Sequence, residues 1–384
     1  MLRITSPTPR WRLPREPACE NRPAPEAALV AAIIIVLRYS PYADGWTCAL
    51  VTSQIFSRSE ILELLQARGP AQEALFSRAC EVRNARHGRA VGVRGVIEFT
   101  SFCRKDCSYC AMRRSNRIPD RFRLSADEVL EAAACAQACG IATILLQGGE
   151  DVGSDRLLDE VLPRIKRELK LYVILNVGER TRSRFEQFRR LGADAFIMKF
   201  EASNPALYAQ ATHGSLMDRL ENLRRLRDVG FVVGTGNIVG LPGQTLEHLA
   251  DDLLLACELG PDYLSSSPFI PNEGTPWERE PVGDLDTTLN FLAASRILLE
   301  RALIPSVSAL EKVRPGGQLR GLLAGANVMT VNCTPSRRRD QYRIYSRERF
   351  VVTLGHVGRT LEAAGLDFVR GGILPAPQIG QGTR

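Results

Sequence analysis

Eight short apolar runs, spaced by amphipathic windows, constrain this chain more than any other feature. VRGVIEF (93–99), TILLQ (143–147), LYVILNV (171–177), AFIMKF (195–200), FVVGTGNIV (231–239), DYLSSSPFI (262–270), PSVSAL (305–310) and NVMTVN (327–332) read as strands. Their near-continuous apolar character is that of parallel strands covered on both faces. Helical windows separate them, such as MDRLENLRRLRDVG before Phe231 and TLEHLADDLLLACELG before Pro261, each ending in a glycine suited to a C-cap. Eight such units predict an α/β fold, a (β/α)8 TIM-type barrel, whose functional groups gather at the C-terminal ends of the strands. With 384 residues, 45% of them apolar, the chain is long enough to bury one such core.

Residues 1–55 carry seven prolines and no amphipathic period, and are expected to be a loose or disordered extension, or an over-extended gene start. Ser57-x-x-Glu60 ahead of Ile61, Leu64 and Leu65 is a capping box that opens the first helix, and Ser125-x-x-Glu128 is a second. The barrel is therefore placed at 56–370, with a C-terminal tail at 371–384. The longest apolar run, 27–37, is 11 residues, short of the roughly 20 that cross a bilayer, and a cytoplasmic protein without membrane contact is expected.

The formal net charge is +7, but 50 Lys and Arg are interspersed with 43 Asp and Glu, so nucleic-acid binding is not implied. The run Arg337-Arg338-Arg339 is read as a solvated loop. Ten cysteines are too few for a disulfide scaffold of this length. Seven of them, Cys19, Cys48, Cys80, Cys135, Cys139, Cys257 and Cys333, lack ligand spacing and are read mostly as buried small hydrophobes. Cys135 and Cys139 share a helix face, where packing is preferred to metal binding.

The other three, Cys103, Cys107 and Cys110, crowd into eight positions after the first strand. Structural zinc wants four ligands, and no fourth Cys or His lies nearby. Three thiolates on a 4Fe-4S cluster leave one iron open to an external chelator.

This C-x-x-x-C-x-x-C spacing, with Tyr109 before the last cysteine, resembles the radical S-adenosylmethionine superfamily. QGGED (147–151), FEASNP (200–205) and GNIVGLPGQT (236–245) fall at further strand ends, where that family's landmarks stand. The resemblance implies one 4Fe-4S cluster on Cys103, Cys107 and Cys110, and S-adenosyl-L-methionine bound by Tyr109, Gly148, Gly149, Glu150, Glu179, Glu201, Gly236, Ile238 and Gly240. In it, Gly148 and Gly149 admit close approach of the methionine end, and Glu201 holds the ribose hydroxyls. The implied reaction is reductive cleavage of the sulfonium, followed by radical chemistry on a small-molecule substrate inside the barrel.

Within the superfamily, residues 57–365 resemble the group of biotin synthase, methylornithine synthase and the FeFe-hydrogenase maturase HydE. RGVIEFTSFCRKDCSYCAMRRSN, VGLPGQT, PFIPNEGTP (268–276), AGANVMTVNCTP (324–335) and the tyrosines Tyr342 and Tyr345 look most like HydE. Departures from it at 148–151, 177–180 and 199–202 are expected to line the cavity, while NEGTP (272–276) and SALE (308–311) lean toward methylornithine synthase. The fifth strand lacks a cysteine and SVSALEK lacks an arginine that biotin synthase carries for a second cluster, so sulfur insertion is a weaker reading, as is a non-catalytic iron–sulfur or zinc protein. An electron donor such as ferredoxin or flavodoxin, and maturation partners, follow from the same resemblance.

Overall fold

The computed structural model describes residues 56–342, 344 and 350–369. The expectations for 1–55, for 371–384 and for Tyr345 lie outside them. Two helices come first: α1 (Arg58–Gln66), capped reciprocally by Ser57 and Glu60, and α2 (Pro70–His87). Ile61 and Leu65 of α1 pack with Leu249, Leu253 and Phe291.

The barrel follows: β1 (Ala90–Thr100), α3 (Ala126–Ala138), β2 (Thr143–Gly148), α4 (Asp155–Arg164), β3 (Tyr172–Asn176), α5 (Arg182–Arg190), β4 (Ala195–Ile197), α6 (Pro205–Thr212), α7 (Leu216–Asp228) and β5 (Val232–Thr235). Then come β6 (Ile238–Val239), α8 (Leu246–Leu259), β7 (Tyr263–Leu264), β8 (Ser267–Pro268), α9 (Leu285–Leu298), α10 (Ser308–Val313), α11 (Gly317–Leu323), β9 (Val328–Asn332), α12 (Ser336–Arg339), α13 (Leu354–Ala364) and β10 (Asp367–Val369). The main sheet runs β1-β2-β3-β4-β5-β7, with β9 and β10 also paired to β1, every pairing parallel. Single bridges, Tyr263 to Leu303 and Pro305 to Val328, join β7 to β9 and close the ring.

Three strand expectations are corrected. The run at 305–310 is no strand: its pairing is the Pro305 bridge, and Ser308–Val313 turns into α10. The runs at 231–239 and 262–270 each break in two, and their distal halves, β6 and β8, form a small separate sheet. The break falls at Gly236, where a Cβ would overlap the Ser265 carbonyl. Val96, Leu145, Ile174, Ala195, Ile197, Tyr263, Leu303 and Val328 fill the interior as one apolar cluster. Above it, at the C-terminal ends of the strands, the barrel stays open.

The other cysteine expectation is also corrected. Cys135 and Cys139 are exposed, and Cys80, Cys257 and Cys333 are only partly buried. Nor is the arginine run a free loop: it forms α12, where Arg337 pairs with Glu128 and Arg339 donates to Thr334 O at 2.6 Å. Among the described residues no helix is long and apolar enough to cross a membrane.

Candidate active site

The loop leaving β1 returns to its own strand: Ser101 N donates to Phe122 O (3.1 Å) and Leu124 N to Phe99 O (2.8 Å). Between these ties lie Cys103, Cys107 and Cys110. Arg121 spans the loop with one guanidinium, donating to the carbonyls of Ser101 (2.6 Å), Met112 (2.8 Å), Arg113 (2.8 Å) and Asn116 (2.9 Å). Asp106 adds a second internal tie, accepting from Arg113 Nε (2.9 Å) and Ser115 Oγ (2.7 Å). A planar five-donor fork suits such a cluster of carbonyls, which would otherwise stand unpaired in a loop.

Neighbouring segments hold the loop from outside. Ser108 N donates to Ala211 O at 2.7 Å, and Trp277 N to Ser108 O at 3.3 Å. Asn272 Nδ2 donates to Tyr109 O (2.8 Å) and Asn116 Nδ2 to Glu273 O (2.9 Å). NEGTP thus clamps the cysteine loop. Glu311 of SALE is spent elsewhere, accepting from Gly316 N (2.8 Å) and Gln318 N (2.9 Å) at the start of α11.

Gly149 explains how β2 meets this loop: a Cβ there would overlap the Phe102 carbonyl oxygen and stand 2.8 Å from Cys103 Cβ. The glycine pair is demanded by this chain's own packing before any ligand is considered. Next to it, Arg104 Nε donates to Glu150 Oε1 at 2.7 Å, and Glu150 Oε2 accepts from Glu179 N at 3.0 Å.

Together these elements enclose a cavity of about 300 Å³. Its wall includes Cys103, Cys107, Cys110, Tyr109, Gly148, Gly149, Glu150, Glu201 and Ile238. Glu179, Gly236 and Gly240 do not face it. Glu179 lines a neighbouring surface pocket, holding Lys105 (2.9 Å) and Arg219 (3.2 Å). Gly236 and Gly240 pack against Ser265 and Gly283. Of the departures noted in the sequence, Lys199 faces the cavity, while Phe200 is buried in the core and Arg180 binds Asp155 at 3.0 Å.

Three features went unseen in the sequence. Arg219 lies in the cavity wall and donates to Tyr208 OH at 3.0 Å. Glu98, on β1, faces the cavity and accepts from Asn332 Nδ2 (3.0 Å) and Thr334 Oγ1 (3.1 Å). Arg94, lower on the same strand, donates from Nε to Thr330 Oγ1 (3.0 Å), and its Nη1 is buried without a partner. Their spacing along β1, Arg94, Val96, Glu98, is the period of two that lines one face of a strand.

Glu201 is unusual in its backbone, at φ +61°. Its N donates to Gly236 O (3.1 Å) and its O accepts from Ile238 N (2.9 Å). Lys199 Nζ stands 3.2 Å from Oε2, but off the hydrogen-bonding direction, so that buried oxygen accepts no hydrogen bond.

The three thiols all face the cavity. Burial raises all three; Cys107 is pushed up to about 12, with Cys103 and Glu201 adding to the effect, and Cys110 is raised further by burial and by its two neighbours. As thiolates they require a compensating positive body, which iron supplies. Among the described residues no three His, Cys, Asp or Glu side chains close on one point as ligands of a single ion would. Three thiols gathered in one loop, all facing the cavity, suit a 4Fe-4S cluster with one iron left open.

The family model described as the radical SAM superfamily matches residues 97–256. The HydE subunit of the [FeFe] hydrogenase maturase of Thermotoga maritima is 38% identical over 295 residues, 76% of this chain and 84% of that protein. The chain belongs to the radical SAM superfamily. Biotin synthase of Mycobacterium avium is 28% identical, covering 81% of this chain and 89% of its own. The crystal structure of methylornithine synthase (PylB) superposes with a TM-score of 0.74 at 25% identity, over 83% of this chain and 96% of that one. This radical SAM protein therefore falls in the group of those three, and is an enzyme that uses a 4Fe-4S cluster and S-adenosylmethionine.

Proposed function

We propose that this radical SAM enzyme is a HydE-like maturase of FeFe-hydrogenase, acting in the barrel on a small sulfur-containing or iron–cysteine species. The observation that carries it is the 38% identity to HydE across most of both chains. When bound, the cluster supplies the electron that breaks the sulfonium bond of S-adenosylmethionine.

The chain's residues divide the remaining work. Cys103, Cys107 and Cys110 would hold three irons of the cluster. The strand end at Gly148, Gly149 and Glu150 would face the methionine amino group, and Arg219, a partly buried cation in the same wall that Glu179 holds, would suit its carboxylate. Glu201, a carboxylate in the cavity wall, would suit the ribose hydroxyls, and Ile238 in the same wall would offer an apolar neighbour for adenine. Glu179 orients Lys105 and Arg219, and Gly236 and Gly240 shape the edge without touching a ligand. Deeper in the barrel, the unpaired Nη1 of Arg94 favours a substrate with an anionic group such as a carboxylate, because a buried donor without an acceptor is costly. The barrel wall shields the reacting atoms from water on their sides. Ferredoxin or flavodoxin would deliver the electron.

The second reading is an amino-acid mutase similar to methylornithine synthase, supported by the TM-score of 0.74. Its sequence support at NEGTP weakens, since Asn272 and Glu273 hold the cysteine loop. Anaerobically reconstituted enzyme would be added to an FeFe-hydrogenase maturation mixture lacking HydE, with 5'-deoxyadenosine formation measured in parallel. Restored hydrogenase activity is expected. Cofactor cleavage with no activation, and 3-methylornithine formed instead, overturns the maturase assignment.

A further inference from the structure

Behind the cavity edge, Asp252 of α8 is fully buried, and among the described residues no cation pairs with it. Three donors converge on its carboxylate: Ser203 N (2.6 Å), Asn237 Nδ2 (2.8 Å) and Gln244 Nε2 (3.3 Å). A buried carboxylate without a counter-charge is expensive, and packing alone gives no reason to keep one. What the three donors share is their location. Ser203 lies two residues beyond Glu201. Asn237 sits between Gly236 and Ile238, whose backbone groups bond Glu201 on either side. Gln244 accepts from Gly240 N (2.6 Å) and donates to Ile238 O (3.0 Å), extending the network along the loop after β6.

Glu201 also needs such support. A non-glycine residue at φ +61° is strained, and strain persists only where the surroundings over-determine it. We propose that Asp252 is a positioning residue for S-adenosylmethionine: from outside the cavity it locks the two segments carrying Glu201 and Ile238, and so fixes the direction of the Glu201 carboxylate. This rests on the assignment of Glu201 to the ribose. Asp252 itself touches no ligand.

The test is a double-mutant cycle on reconstituted holoenzyme, with S-adenosyl-L-homocysteine binding read by calorimetry and iron content checked in every variant. Glu201→Gln is expected to weaken binding about tenfold, through the loss of charge-assisted bonds. Asp252→Asn keeps the shape but turns an amide N–H toward one of the donors, and should also weaken binding by up to about tenfold with iron content unchanged. The double variant should bind no worse than the weaker single one, because both act on one carboxylate. Losses that multiply, or wild-type affinity in Asp252→Asn, overturn the inference. Wild-type affinity in Glu201→Gln instead removes the ribose assignment on which it rests. Should Asp252→Asn fail to fold, Asn237→Ala takes its place: about a threefold loss that vanishes in the Glu201→Gln background is expected, and an unchanged affinity overturns the inference.

Discussion

Glu150 presents its backbone N–H to the sulfur of Cys103 at 3.3 Å, while its carbonyl accepts from Arg104 N at 2.9 Å. The end of β2 and the start of the cysteine loop are therefore one hydrogen-bonded unit. The segment proposed to face the methionine end is built against the cluster loop itself.

Cys107→Ala should abolish cluster incorporation, because the remaining two thiols cannot hold the cube. Iron and sulfide analysis of anaerobically reconstituted protein should give about four irons per chain for wild type and near none for the variant. About eight irons in wild type, or an intact cluster in the variant, would contradict the three-cysteine assignment.

Gly149→Ala is expected to act as strongly as a ligand change. Its Cβ has no room beside the Phe102 carbonyl, and neither partner is a flexible side-chain end, so the loop must shift. Overpacking of this kind costs about 1–3 kcal/mol and here moves Cys103 directly. Cluster yield should fall while far-ultraviolet circular dichroism stays native; a fully loaded variant would refute the packing account.

The sequence marked the candidate ligands but not the frame around them. Local signals read true: the Ser57–Glu60 and Ser125–Glu128 boxes form as reciprocal caps. The cysteine spacing and the strand-end glycines were visible for the same reason, since each lies within a few residues. Asn272 and Asp252 were not, because each acts across the fold, Asn272 reaching back to Tyr109 over a separation of 163 residues; Arg121 acts within its own loop, but a lone arginine carries no mark of the carbonyls it will gather. The breaks in the fifth and sixth runs escaped too. A β-rich apolar string carries no mark of where the Ser265 carbonyl will displace its neighbour.

Arg121→Lys should leave the barrel folded and loosen the loop. An ammonium cannot reach four carbonyls in one plane, and losing two or more charge-assisted bonds costs roughly 2–4 kcal/mol locally. The expected readout is faster iron loss to a chelator, by tenfold or more. Equal rates for variant and wild type would show that the carbonyls, not the side chain, hold the loop.

Asp252 also predicts a pH dependence of stability. Burial pushes its carboxyl up to about 7, against the opposing pull of Ser203 and Asn237. The folded value thus lies above the unfolded one near 3.9, so the stability from proton binding is complete below about pH 4 and is lost as pH rises through about 7. Asp252→Asn does not titrate. Relative to wild type it should gain on the order of 1–3 kcal/mol in urea unfolding between pH 5 and pH 8. A pH-independent difference would mean that the carboxyl does not titrate in this range.

The single bridges at Leu303 and Pro305 give the barrel one stave with almost no ladder of its own. Just beyond them, Val307 and Ser308 face the cavity as the chain turns into α10. Pocket residues such as Val96 and Leu145 sit instead on strands whose register ties them to two neighbours, so altering one disturbs both. At this stave the lining can change with little effect on the ring, which makes it the site where one ancestral barrel could diversify its substrate while its cofactor machinery stayed fixed.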